Sequence, residues 1–324
     1  MHKKIAQKLD TNFKQEVFQG LTTYPKFLSS KYIYDKAGDR LFQDIMNMPE
    51  YYLTNTEFGI LEAYKEQLAQ HFSTDEKPFH LIEMGAGDGK KTKILLHHFT
   101  KKKLDFTFRP IDISQNALDS LQANLKEEIP GLRTEPLQGT YFETLRKLNF
   151  STDERKVILF LGSNIGNLFH DQAIEFLSQI REYMQPKDLL FIGFDQKKHP
   201  QTILDAYNDA SGITANFNKN LLVRINRELE GNFEVGSFMH WEVYDPETGT
   251  AKSYLVARSP QEVRIEKLDL DIVFEAWETI HTEISQKYDD KTVHWLAERS
   301  GLKVLESFSD QKEYYKNYLF TKTN

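Results

Sequence analysis

The sequence predicts an α/β protein: a doubly wound, Rossmann-like sheet with a C-terminal antiparallel hairpin, plus an inserted α+β subdomain. Three observations predict it. From residue 79 onward, short apolar runs alternate with amphipathic stretches, as parallel strands and their crossover helices do. A glycine-rich turn, FHLIEMGAGDGKKT at 79–92, follows the first of those runs. Two strand-like segments, LKVLESFSD and YYKNYLFTK, close the chain as a hairpin.

Residues 1–75 read as helices and loops, with Ile60, Leu61, Tyr64 and Leu68 at helical spacing within Glu57–Gln70. Phe79–Met84 is the first strand, Asp88–Phe99 a helix, Phe106–Ile113 the second strand and Ser114–Leu125 a helix. Glu135–Gln138 is a short third strand. Val157–Leu161 (VILFL) is unbroken in apolar residues, as a strand buried on both faces should be. Asp171–Met184 sets Ile174, Leu177, Ile180 and Met184 on one helical face, and Leu189–Phe194 is a fifth strand. Thr292–Ser300 is a helix that Gly301 ends.

Residues 196–290 stand outside this alternation. They hold a helix around Thr202–Asp209, a helical run Asn216–Glu228, and a hairpin, Ser237–Tyr244 with Thr250–Arg258, turning at DPETG. An insertion so long and structured is expected to bind substrate. The expected organisation is a helical segment 1–75 contributing to the substrate pocket, a cofactor-binding domain from 76–195 and 291–324, and the substrate-binding insertion 196–290.

Composition narrows the function classes. Hydrophobic content of 40% and charged content of 27% over 324 residues are ordinary for a globular protein. A net charge of −7 leaves no basic excess to neutralise phosphates, so no nucleic-acid partner is expected. The absence of cysteine excludes disulfides, thiolate zinc sites and cysteine nucleophiles. The first twenty residues carry charge in place of an apolar core, and no apolar run approaches a membrane span. A cytoplasmic protein acting on a small molecule is expected, with no membrane, no obligatory protein partner and no metal. His240, His281 and His294 lack metal-ligand spacing.

Glu83, Gly85, Gly87 and Gly89 form ExGxGxG between strand and helix. Glycines there let the backbone turn tightly and approach a ligand, and the following helix points its first N–H groups at the same place. A dinucleotide site would want its third glycine at position 90, which is Lys90. S-adenosylmethionine is therefore the expected cofactor, ahead of NAD, with Gly85 and Gly87 as backbone contacts; the bland alternative is an ordinary β–α turn. Asp112, in RPIDIS, stands where a carboxylate accepts from both ribose hydroxyls. Taken alone, such an aspartate is more often the acid at a helix start.

Four segments then carry a resemblance: SKYIYDKAGDRLFQDIMNMPEYYLTNTE (30–57), LGSNIGNL (161–168), AYNDASGITANFNKNLLVRINREL (206–229) and HTEISQKY (281–288). The chain resembles the histidine Nα-methyltransferases of ergothioneine biosynthesis from about residue 20 to its end, in the same order. The resemblance implies that Gly85, Lys91, Asp112 and the pair Thr140–Tyr141 contact the cofactor. It implies that Tyr51, Asn167 and Tyr207 bind the amino acid, that Glu283 and Ser285 hold its imidazole, and that Tyr34 lies near the amine and the transferred methyl. Three successive transfers would give a trimethylated betaine.

The residue types suit these roles. An asparagine amide and a tyrosine hydroxyl can donate to a carboxylate, while a glutamate and a serine can serve the two imidazole nitrogens. One at a time, such groups are more often satisfied core polar residues or a solvated strand face. Three positions depart from the family pattern. Thr140 replaces a common Asp, GAGDGKKT replaces the usual GSGTSxKT, and Tyr254 takes a place often held by Met near the imidazole pocket. The alternatives left open are another aromatic amino acid or related small amine as acceptor, and an inactive ligand-binding relative.

Overall fold

The computed structural model describes residues 10–74, 77–149 and 154–323; the first nine residues of the charged N-terminal stretch lie outside them. In chain order the strands are β1 (Lys26–Phe27), β2 (Phe79–Met84), β3 (Phe106–Asp112), β4 (Leu137–Gln138), β5 (Arg155–Phe160), β6 (Leu189–Asp195), β7 (Phe238–Asp245), β8 (Thr250–Ala257), β9 (Gln261–Ile265), β10 (Leu270–Phe274), β11 (Thr279–Gln286), β12 (Leu302–Ser309) and β13 (Tyr315–Lys322). The chain resolves into two compact units. One joins the residues up to Tyr52 with Lys198–Ser285; the other joins Leu53–Lys197 with the chain from Gln286 onward.

The second unit is built on a seven-stranded sheet in the order β12-β13-β6-β5-β2-β3-β4. β2 to β6 run parallel, and β13 lies antiparallel between β6 and β12. Strand parity explains why both faces are covered. Ile82, Met84, Ile158, Phe160, Leu190 and Ile192 face a core shared with helices 141–149, 170–182 and 290–299. On the other parity, Phe79, Phe106 and Phe191 meet Phe72 and Phe99 from helices 52–72 and 92–101. That is a doubly wound arrangement.

After β2 the chain adds β3 and β4 on one side; β5 then returns beside β2, and β6 and the hairpin extend the other side. The loops leaving β2 and β5 diverge, which opens a crevice at their carboxyl ends. The helix expected from Asp88 begins at Thr92 instead. Three successive left-handed glycines, at 85, 87 and 89, keep the backbone out of helical geometry until then.

Two buried ion pairs stiffen this unit. Lys287 Nζ lies 2.7 Å from Asp195 Oδ2 with neither side chain exposed, and Lys156 Nζ lies 3.1 Å from Asp188 Oδ2.

The first unit holds a four-stranded sheet, β1-β11-β8-β7, and the hairpin β9–β10. The predicted hairpin is β7–β8, in antiparallel register Glu242↔Ser253. Helix 36–46 is tied to helix 213–229 through Asn220, whose amide donates to Ile33 O and Asp35 Oδ1, each at 2.9 Å. Asp35 also caps helix 36–46, accepting from Ala37 and Gly38 N–H. Burial alone would raise its pKa; the hydrogen bonds from Gly38, Arg227 and Asn220 win and hold it at about 2. Among the described residues no helix is long and apolar enough to cross a membrane.

Candidate active site

The glycine loop leaves β2 with Gly85 at φ 77°, Gly87 at φ 52° and Gly89 at φ 65°. A side chain in that region costs about 1–2 kcal/mol in backbone strain alone. Packing adds a second reason at two of them. A Cβ on Gly85 would lie 2.7 Å from the Tyr141 hydroxyl, and one on Gly89 would lie 2.5 Å from Leu121 Cδ1. Gly87 has nothing within 4 Å, so its side of the loop is open to a ligand.

Asp112 holds the loop in place. Its Oδ2 accepts from Gly87 N–H at 3.2 Å and its Oδ1 from Ser114 N–H at 2.9 Å. The helix-start role and the ligand role therefore coexist, because a carboxylate has further lone pairs for hydroxyl donors.

Tyr141 packs edge-on against Phe160, with ring centroids 5.9 Å apart. Burial, helped by the Asp112 charge, pushes its hydroxyl up to about 12. The Thr140 hydroxyl donates to Glu143 Oε2 at 2.8 Å, so only its lone pairs remain for a ligand. Beneath the loop, Glu83 is buried and accepts from the Thr92 hydroxyl, while its Oε2 has no partner among the described residues. Burial lifts its carboxyl to about 8. Lys91 pairs with Glu57, at 2.6 Å, a residue the sequence placed only within a helix.

An open glycine edge, an acid at the end of the neighbouring strand, an aromatic ring and a cation form a set that fits S-adenosylmethionine. Its ribose hydroxyls suit Asp112, its adenine suits Tyr141 and Thr140, and its carboxylate suits Lys91. Asn167 also belongs to this unit, exposed at the end of the 3₁₀ turn Asn164–Asn167.

The other unit gathers aromatic residues. Tyr34 meets Phe42 and Phe217 at ring-centroid distances of 5.6 and 5.4 Å, Phe42 meets Tyr51 at 6.4 Å, and Tyr51 meets Tyr207 at 6.2 Å. The Tyr207 and Ser285 hydroxyls are 2.7 Å apart. Strand alternation puts His281, Glu283 and Ser285 on one face of β11 while Ile280 and Thr282 are buried on the other.

Although 40% of Tyr34 is exposed, loss of hydration around its hydroxyl raises its pKa well above the tyrosine range. The charges of Glu283, Tyr51 and Tyr207 act in the same direction. That sum brings Tyr34, Tyr51, Tyr207, Glu283 and Ser285 into one group. Tyr254 joins through His281, ring centroids 5.4 Å apart, and burial raises its hydroxyl too.

Phe42 and Phe217, not singled out in the sequence, and His281, weighed there only as a metal ligand, complete the group. Their only signal is that each lies within a segment of the family resemblance. His240 is buried, neither ring nitrogen makes a hydrogen bond among the described residues, Glu242 Oε2 lies 4.0 Å from its Nε2, and burial pushes it down to about 4. Among the described residues no cluster of His, Asp or Glu is placed to hold a metal.

Comparison with known proteins agrees with this chemistry. Residues 13–322 match a family described as histidine-specific, SAM-dependent methyltransferase. The histidine N-alpha-methyltransferase of Mycolicibacterium smegmatis is 35% identical over 92% of this chain and 91% of its own length. Ergothioneine biosynthesis protein 1 of Schizosaccharomyces pombe is 29% identical over 91% of this chain, which spans 39% of that longer protein. An L-tryptophan methyltransferase of Psilocybe serbica is 27% identical over 94% of this chain and 91% of its own.

Proposed function

The chain belongs to the histidine-specific, S-adenosylmethionine-dependent methyltransferases, and from that premise we propose that it methylates the α-amine of L-histidine three times, to the trimethylated betaine. The observation that supports the acceptor most directly is the polar face of β11, where Glu283 and the Tyr207-linked Ser285 stand two residues apart beside Tyr34 and Tyr51.

When bound, the cofactor supplies an electrophilic methyl group on sulfur. Gly85, Gly87, Lys91, Asp112, Thr140 and Tyr141 are the residues assigned to hold it. For the acceptor, Tyr207 and Asn167 are assigned to the carboxylate. If Tyr207 gives its proton to that carboxylate, the Ser285 hydroxyl donates to Tyr207 and turns a lone pair outward. Ser285 and Glu283 then both accept, which selects an imidazole ring presenting N–H on both sides.

The raised pKa of Tyr34 keeps it protonated near neutral pH, so it is not the base. Its role is to orient the amine, whose own proton is lost to solvent at modest cost. Alignment supplies most of the acceleration. The faces of Tyr34, Phe42 and Tyr51 suit a methylated ammonium, worth about 0.5–2 kcal/mol. The same reading takes the product to ergothioneine formation in the cytoplasm, with a free amino acid as substrate and no obligatory protein, membrane or nucleic-acid partner.

A second reading has one observation in its favour. Tyr254, packed on His281, replaces the wall expected to be Met with a bulkier ring that carries a hydroxyl, which narrows the pocket or adds a polar partner and favours another aromatic amino acid as acceptor. Initial rates across a panel of amino acids separate the two. Histidine should dominate, and Glu283→Ala should raise its KM by about tenfold or more while leaving the KM for S-adenosylmethionine unchanged. A panel led by tryptophan or phenylalanine, with no effect of Glu283→Ala, would overturn the histidine reading.

A further inference from the structure

Glu57 has no solvent exposure, yet it is a carboxylate, and three donors from three separate segments of the sheet unit converge on it. Its Oε2 accepts from Lys91 Nζ at 2.6 Å and from the Gly162 N–H at 2.8 Å. Its Oε1 accepts from the Asn317 amide at 2.9 Å. Lys91 follows the glycine loop after β2, and Gly162 follows β5. The carboxylate therefore spans the crevice at the topological switch point, where open α/β sheets bind their ligands.

The sheet itself makes room for this group. Gly193 lies in the middle of β6, where a strand gains nothing from glycine. A Cβ there would fall 2.2 Å from Glu57 Oε1 and 2.2 Å from the Tyr315 hydroxyl. Lys91 Nζ in turn sits 3.6 Å from where a Cβ of Gly162 would be. Two backbone positions without side chains thus frame the pair.

An ammonium has three N–H donors, and Glu57 uses one of those on Lys91. The Lys91 side chain keeps 18% exposure, so its charged end is anchored from behind and open in front. We propose that Glu57 is a positioning residue for the cofactor: it fixes the Lys91 ammonium at the crevice between β2 and β5, aimed at the carboxylate of the cofactor's methionyl end. The inference rests on the cofactor half of the proposed function and is independent of which amino acid is methylated. Glu57 acts through Lys91 and does not itself touch the ligand.

The test compares two ligands by calorimetric titration of the full-length protein. S-adenosylhomocysteine carries the amino-acid end; 5′-methylthioadenosine keeps the adenosine thioether and lacks that end. Wild type should bind the first more tightly. Glu57→Gln should weaken S-adenosylhomocysteine by about ten- to hundredfold and leave 5′-methylthioadenosine unchanged. Lys91→Met should reproduce that pattern. Because both ligands are titrated into one preparation, partial unfolding of a variant cancels from the ratio. Equal weakening of both ligands by Glu57→Gln, or weakening of neither, overturns the proposal. Wild type binding neither ligand would overturn the cofactor assignment itself, an outcome distinct from failure on any acceptor.

Discussion

A carboxyl group sealed from water must either find a cation or keep its proton. Glu57 takes the first course and Glu83 the second. Burial lifts Glu83 from 4.5 to about 8, and among the described residues only Thr92 donates to it. Between those pH values the unfolded chain has released the proton and the folded chain retains it, so stability falls as pH rises through this window. Glu83→Gln removes the titration, so raising the pH from 5 to 8 should lower the variant's denaturant midpoint less than the wild type's, or raise it; a change identical to wild type would contradict this. His240 works in the opposite direction. Burial lowers it from 6.5 to about 4, so its contribution is lost as pH falls from 6.5 toward 4. Glu83 was legible as the first letter of ExGxGxG. Its protonation was not, because that depends on what covers β2 rather than on its neighbours in the chain.

At the scale of elements, continuous apolar runs were the most readable feature. The ends of β2, β3, β5 and β6 fall within two residues of expectation, since a strand covered on both faces is mostly apolar, although β3 also carries Thr107, Arg109 and Asp112. Helix 141–149 (YFETLRKLN) and the strands β9 to β11 had no such mark, being covered on one side only. The pairing of Lys287 with Asp195 was also invisible, because 92 positions separate two ordinary charged residues. With both side chains unexposed, Lys287→Met removes the buried cation that faces Asp195 and should cost about 3–5 kcal/mol. Chemical denaturation measures it; a loss below about 1 kcal/mol would mean that water or another cation reaches Asp195.

For the whole molecule, the division of labour is the testable feature. The residues assigned to the cofactor belong to the sheet unit, as does Asn167, while the other residues assigned to the acceptor, Tyr34, Tyr51, Tyr207, Tyr254, Glu283 and Ser285, belong to the other unit. S-adenosylhomocysteine at a hundred times its Kd should stabilise the protein by about 2.7 kcal/mol. Glu283→Ala should leave that gain intact, whereas Asp112→Ala should diminish it; thermal unfolding with and without ligand reads both. The cofactor was legible from residue chemistry alone, through the glycine loop and Asp112. The acceptor was legible only through family resemblance, because tyrosine, glutamate and serine acquire a shared ligand only when folding assembles them. The most direct measurement of the central claim is mass spectrometry of L-histidine incubated with S-adenosylmethionine and the protein. The account predicts histidine carrying one, two and finally three methyl groups, all on the α-nitrogen. Unmodified histidine from a protein that binds S-adenosylhomocysteine, or methyl groups on the imidazole, would contradict it.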